Sequence, residues 1–110
     1  MEMKERVRLA VERYLKLTGR RIIYTDYLDR FIVAEDDEGL AFIDVFYTID
    51  NMSNKSPVMK RETFEDVIHK FFLQEHEPVD VSVRYDVIRL TICGNDRALI
   101  RHHVNAGLED

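Results

Sequence analysis

The residue most out of place in this sequence is Asp44. It stands inside LAFIDVFY (residues 40–47), where the other seven residues are apolar or aromatic. A carboxylate removed from water is costly unless it is paired, hydrogen-bonded or bound to a metal. Asp44 therefore either has a structural partner, such as an arginine or a backbone amide, or it serves a site. The other chemistry-bearing residues are less pointed. EDDE (35–38) sets four carboxylates in a row but lacks the alternating ligand spacing of a calcium loop, so it reads as a solvated turn. His102 and His103 are adjacent, and on a strand they face opposite ways. His69 and His76 fall two helical turns apart. No ligand spacing supports a metal role for these histidines. Cys93 is the single cysteine, so neither an intrachain disulfide nor a cysteine zinc cluster can form. There is no glycine-rich phosphate loop and no Gly-x-Ser-x-Gly elbow. Basic residues gather as Lys16, Arg20 and Arg21, as Lys55, Lys60 and Arg61, and as Arg97 and Arg101. Each group has the chemistry to meet a phosphate, although most such clusters are solvated surface.

The elements that must position these residues follow from periodicity. Val7, Ala10, Val11, Tyr14 and Leu15 share one helical face, and Gly19 supplies a stop. RIIYTDYL (21–28), RFIVAE (30–35) and LAFIDVFY (40–47) read as strands, with DDEG (36–39) turning the last two into a hairpin. Leu40, Phe42, Asp44 and Phe46 share one strand face, and Ala41, Ile43, Val45 and Tyr47 share the other. Both faces are apolar, which predicts a central strand covered on both sides. DNMSNKS (50–56) is a loop by composition. Ser56 and Pro57 read as cap and first-turn proline of a second helix, whose face is Phe64, Val67, Ile68, Phe71 and Phe72, and Pro78 closes it. In VSVRYDVIRLTIC (81–93) the apolar phase shifts between Val87 and Ile88, which predicts a bulge or a bend. GND (94–96) is a turn, and RALIRHHV (97–104) a final strand. The order is α-β-β-β-α-β-β in one domain over 1–110.

Composition bounds the partners. The chain has 110 residues, 45% of them hydrophobic, enough for one core. A net charge of −5 counts against broad phosphate contact but leaves room for a local basic patch. The charged amino terminus lacks the apolar run of a signal peptide, and no run approaches the roughly 20 residues of a membrane helix. A cytoplasmic soluble protein with no membrane partner is expected.

The element order, together with RYL (13–15), the hairpin, Asp44-Val45 and RYDV (84–87), resembles the YraN family across nearly the whole chain. These are small bacterial proteins of restriction-endonuclease-like fold with a presumed nuclease role. The resemblance implies an α/β fold with a mixed sheet flanked by helices. In the family the hairpin carries Gly-Glu-Ile-Asp on one strand and Glu-Val-Lys on the next. The Asp and Glu hold a divalent metal, and the Lys orients or polarises the attacking water. Laid onto this sequence, Glu-Val-Lys becomes Asp44-Val45-Phe46. Gly-Glu-Ile-Asp becomes Leu28-Asp29-Arg30-Phe31, so Phe31 stands at the metal-binding Asp. A family glutamate on the first helix falls at Arg8. Lys60 matches a basic position near the second helix, and Asp86 matches an aspartate of the late strand.

The resemblance thus implies a vestigial catalytic set of Asp29, Asp44 and Lys60, with no metal ligand set and no cofactor. Three functions are compatible with it. The first is a protein that has lost catalysis and binds, near nucleic acid, weakly, through Lys55, Lys60 and Arg61. The second is a nuclease with a migrated site built from Asp29, Asp44 and Asp86, which would take Mg²⁺ or Mn²⁺. The third is a protein-interaction module with no nucleic-acid role. A homodimer or another protein partner is compatible with each.

Overall fold

The computed structural model describes residues 2–49, 52–53, 57–75, 82–94 and 97–110. Helix α1 (Met3–Leu17) forms because Val7, Val11 and Leu15 recur every four residues and bury one stripe, with Ala10 and Tyr14 half-buried beside it. It stops at Gly19, whose φ is 80°. There the Gly19 N–H donates to the Lys16 carbonyl at 3.2 Å and the Arg20 N–H to the Leu15 carbonyl at 2.9 Å. Both carbonyls would otherwise be left open at the helix end.

Strands β1 (Arg21–Tyr27), β2 (Phe31–Asp36) and β3 (Gly39–Ile49) follow as an antiparallel meander. The two-residue strand β4 (Met52–Ser53) pairs with the end of β3. Helix α2 (Arg61–Glu75) crosses over, and β5 (Val83–Cys93) returns parallel to β3. Strand β6 (Arg97–His103) then lies antiparallel to β5. The sheet order is β1-β2-β3-β5-β6, with β4 off this path on β3. The expected α/β architecture and its α-β-β-β-α-β-β order hold, with β4 added.

The two helices cover opposite faces of the sheet. Helix α1 packs on Ile32, Ala34, Ala41, Ile43, Ile88 and Leu90. Helix α2 lays Phe64, Val67 and Phe71 against Phe31, Val33, Phe42, Tyr85 and Val87. The centre of that second layer is Phe42, which meets the rings of Tyr27, Phe31, Phe64 and Phe71 edge-on at 5.2–6.0 Å.

Two local expectations are corrected. Strand β5 keeps an unbroken register with β3 from Val83 to Ile92 and with β6 from Val87 to Cys93, so no bulge separates Val87 from Ile88. The shift of apolar phase has another cause. Helix α2 covers Tyr85 and Val87 on one face of the strand's first half, and α1 covers Ile88 and Leu90 on the opposite face of its second half. The irregular register lies in β1, between Ile22 and Tyr24 and between Tyr24 and Tyr27. As an edge strand, β1 has no outer neighbour to hold its spacing. The second correction concerns α2, which starts at Arg61 and not at Pro57. Ser56, Lys55 and Pro78 lie outside the described residues. The segment before the helix stays non-helical because it pairs with the carboxyl-terminal segment. The Glu109 N–H donates to the Met59 carbonyl at 2.9 Å, and the Arg61 N–H donates to the Glu109 carbonyl at 2.7 Å. The first N–H of the helix thus finds its acceptor outside the helix.

Candidate functional site

Asp44 lies on the α2 side of β3 and is 4% exposed. Its partner comes from the turn between β1 and β2. That turn is left-handed at both Leu28 and Asp29, with φ of 55° at each, and is closed by the Arg30 N–H on the Tyr27 carbonyl at 3.1 Å. Leucine in this conformation is strained by about 1–2 kcal/mol. The turn delivers Arg30 beneath Asp44. Arg30 Nε donates to Oδ1 at 2.7 Å and Nη2 to Oδ2 at 2.6 Å. The Tyr85 hydroxyl adds a third bond, to Oδ2, at 2.5 Å. A two-pronged guanidinium–carboxylate pair is among the strongest polar contacts a protein makes. The hydrogen bond to Asp44 raises the Arg30 guanidinium above its ordinary range, outweighing partial burial. Burial, and then the same carboxylate, push the Tyr85 phenol up, so it stays neutral and donates.

Phe31 and Phe46 stand on this same side. Phe31 is 1% exposed and packs on Phe42, with the Arg30 guanidinium 4.9 Å above its ring. Phe46 packs against the α2-side core, with the Arg89 guanidinium 5.8 Å from its ring centre. The residues present do not fit a divalent cation at Asp44. Both carboxylate oxygens are held by a cation already, and the flanking phenylalanines offer no ligand atom.

The other predicted residues do not gather around Asp44. Asp29 is exposed in the β1–β2 turn. Asp86 follows Tyr85 in β5 and so points to the opposite, α1 face. The carboxylates of Asp29, Asp44 and Asp86 are therefore not assembled into one site. Among the described residues, no three His, Cys, Asp or Glu side chains are placed to share a metal. Lys60 and Arg61 are exposed at the start of α2, where the Lys60 backbone pairs with that of Glu109 and Arg61 Nε meets Asp110 at 3.0 Å. The acidic tail thus offsets the charge of Arg61. Lys55 is outside the described residues.

A second polar cluster, which sequence reasoning missed, lies on the α1 side. Asp86 is fully buried. Its Oδ2 accepts from His102 Nε2 at 2.8 Å, and its Oδ1 accepts from Arg84 Nε at 3.0 Å and from the Asn105 N–H at 2.9 Å. With Nε2 donating, His102 Nδ1 is left to accept from the Tyr14 hydroxyl at 2.8 Å. Arg84 continues the chain to Asp36 through Nη2 at 2.8 Å, and Arg20 Nε lies 3.5 Å from the same carboxylate. Burial pushes the Asp86 carboxyl up, but the bonds from His102, Asn105 and Arg84 outweigh it and hold it low. The Arg84 hydrogen bond lowers Asp36 to about 2. Apart from Arg20 Nε, which has no hydrogen-bond partner among the described residues, the groups satisfy one another, which is the character of a structural network. Part of the signal was legible. Arg84 and Asp86 are two apart on a strand, so they share a face and can pair.

The chain matches no protein-family model and no curated protein.

Proposed function

We propose that this chain is a YraN-like domain of restriction-endonuclease-like fold that has lost the metal site and acts by binding, in association with nucleic acid. A cytoplasmic setting belongs to the same proposal, and among the described residues no helix is long and apolar enough to cross a membrane. The observation that carries the proposal is the Arg30 fork on Asp44. Where the family sets a carboxylate to hold a divalent cation, this chain sets a carboxylate that holds its own guanidinium. The turn supports the same alignment. Leu28 stands where the family has glycine, and its φ of 55° is a conformation that glycine takes at least cost. The α-β-β-β-α-β-β order and the mixed sheet agree with the fold, although fold alone does not carry function.

A metal-dependent nuclease must generate a nucleophile and neutralise phosphate charge, and the metal does both. Losing one electrostatic stabiliser costs about 10²–10³ in rate, and here a ligand Asp and the site Lys are both phenylalanine. The test is incubation of purified protein with labelled single-stranded, duplex and branched nucleic acids in Mg²⁺ and Mn²⁺. No cleavage is expected, and calorimetry should find Mn²⁺ binding weaker than about 1 mM. Cleavage that vanishes on Asp44→Ala would overturn the proposal.

A further inference from the structure

We propose that the face of β5 and β6 that neither α1 nor α2 covers, centred on Arg89 and Arg101, binds the phosphodiester backbone of a nucleic-acid strand. This rests on the nucleic-acid association proposed above and names the surface that carries it.

The change of covering helix along β5 creates the face. Helix α2 covers the sheet as far as Val87. Beyond that point the same face of β5 presents Arg89 and Thr91. Strand β6 presents Leu99, Arg101 and His103 opposite them, and β3 presents Phe46 and Thr48 alongside. Leu99 is 65% exposed, and Arg101 and His103 are exposed too. None of these positions is a carboxylate.

Arg89 and Arg101 are direct partners across the β5–β6 ladder. Like charges placed this way destabilise a sheet. Among the described residues neither arginine forms an ion pair with Asp or Glu. The Phe46 ring, 5.8 Å away, holds the Arg89 guanidinium in place without matching its charge. Arg89 Nε is buried with no hydrogen-bond partner among the described residues, and so is Thr48 Oγ1 on the same face. An anion seated between the two guanidiniums removes the repulsion and uses their donors in charge-assisted bonds.

The occupant is a strand and not a small phosphate ester because the exposed side chains Leu99, Arg101 and His103 stand in a row along β6. Enclosed ligands are held in concave sites, such as the groove of about 350 Å³ on the other side of the sheet, between α1 and β5. An extended polyanion suits a basic sheet platform.

The experiment is fluorescence anisotropy of a labelled single-stranded oligonucleotide and of its duplex, between about 50 and 200 mM salt. Wild-type protein is expected to bind at the low-salt end. The affinity should fall with salt at a logarithmic slope near −1.4 for two phosphate contacts on a single strand, at roughly −0.7 each. R101E should weaken binding at least about tenfold. It should also raise the melting temperature by about 1–5 °C, because the new glutamate pairs with Arg89 across the ladder. A variant that binds poorly only because it misfolds would melt lower, so the two readouts separate the causes. Arg101→Lys should keep most of the affinity. If wild type binds and R101E binds equally well, the inference is wrong while the nucleic-acid reading stands. Loss on Lys60→Glu with none on R101E would overturn it in the same way and move the site to the start of α2. If wild type binds no oligonucleotide even at low salt, the nucleic-acid association falls and this inference falls with it.

Discussion

The Arg30–Asp44 pair is unequal in burial, and the inequality decides how each half responds to mutation. The Arg30 side chain is 39% exposed and that of Asp44 only 5%. Removing Arg30 strands a buried carboxylate with the Tyr85 hydroxyl as its remaining partner. Arg30→Ala should therefore cost about 3–5 kcal/mol. In Asp44→Asn the guanidinium can turn to water, and the amide oxygen still accepts from Tyr85. That change should cost about 1–3 kcal/mol. Denaturant titrations of the two variants give the ranking. A larger loss for Asp44→Asn would mean that the carboxylate, and not its desolvation, is what the pair protects.

At the scale of elements, the parallel contact of β3 with β5 begins at a glycine that admits no substitute. Gly39 has φ of 130°, and a Cβ there would lie 2.2 Å from the Ser82 carbonyl oxygen. That same oxygen accepts from the Leu40 N–H at 2.9 Å, so it cannot move without loosening the start of the β3–β5 ladder. Gly39→Ala should destabilise by about 2–4 kcal/mol, through strain and clash together. Gly94 offers the comparison, since its φ is 73° and a Cβ would meet nothing within 4 Å. Gly94→Ala should cost only about 1 kcal/mol, from the left-handed backbone alone. Equal denaturation midpoints for the two would show that the amino-terminal end of β5 yields freely.

The polar network on the α1 side ties the whole molecule together. It links α1, β2, β5 and β6 through Tyr14, Asp36, Arg84, Asp86 and His102, and it makes stability depend on acid. Asp36 is lowered from 3.8 to about 2, chiefly by Arg84, and Asp86 also lies below its ordinary value. A carboxyl held low in the folded state binds protons more readily once unfolded, so its contribution is present above the unfolded value and is lost as pH falls. The melting temperature should be level from about pH 7 to pH 5 and should drop between about pH 4 and pH 2. Asp36→Asn should remove about 1–2 kcal/mol at neutral pH, allowing for solvent around this pair, and should flatten part of the acid limb. A full acid transition surviving in that variant would assign it to Asp86 or to carboxylates outside the network.

The sequence by itself determined the order of the two helices and of every strand but the two-residue β4, the inward faces of both helices and the central, two-sided burial of β3. Those follow from repeats of two and of about four residues, which are set within each segment. It also marked Asp44 as a residue needing a partner, because the cost of burying a carboxylate does not depend on the fold. Only the tertiary structure decided that the partner is Arg30, since the turn at Leu28 and Asp29 aims it across β2 onto β3. It also decided that Asp44 and Asp86 lie on opposite faces, because the β3–β5 ladder joins residues 43 positions apart in sequence, as Asp44 and Val87 are. The phase shift at Val87 and Ile88 was visible from the start but ambiguous. A bulge and a change of covering helix leave the same pattern of apolar residues, and the choice between them depends on where α1 and α2 dock. The start of α2 was hidden for a related reason. Its first N–H is met by Glu109, and a backbone bond between distant segments leaves no mark on the side chains that form it.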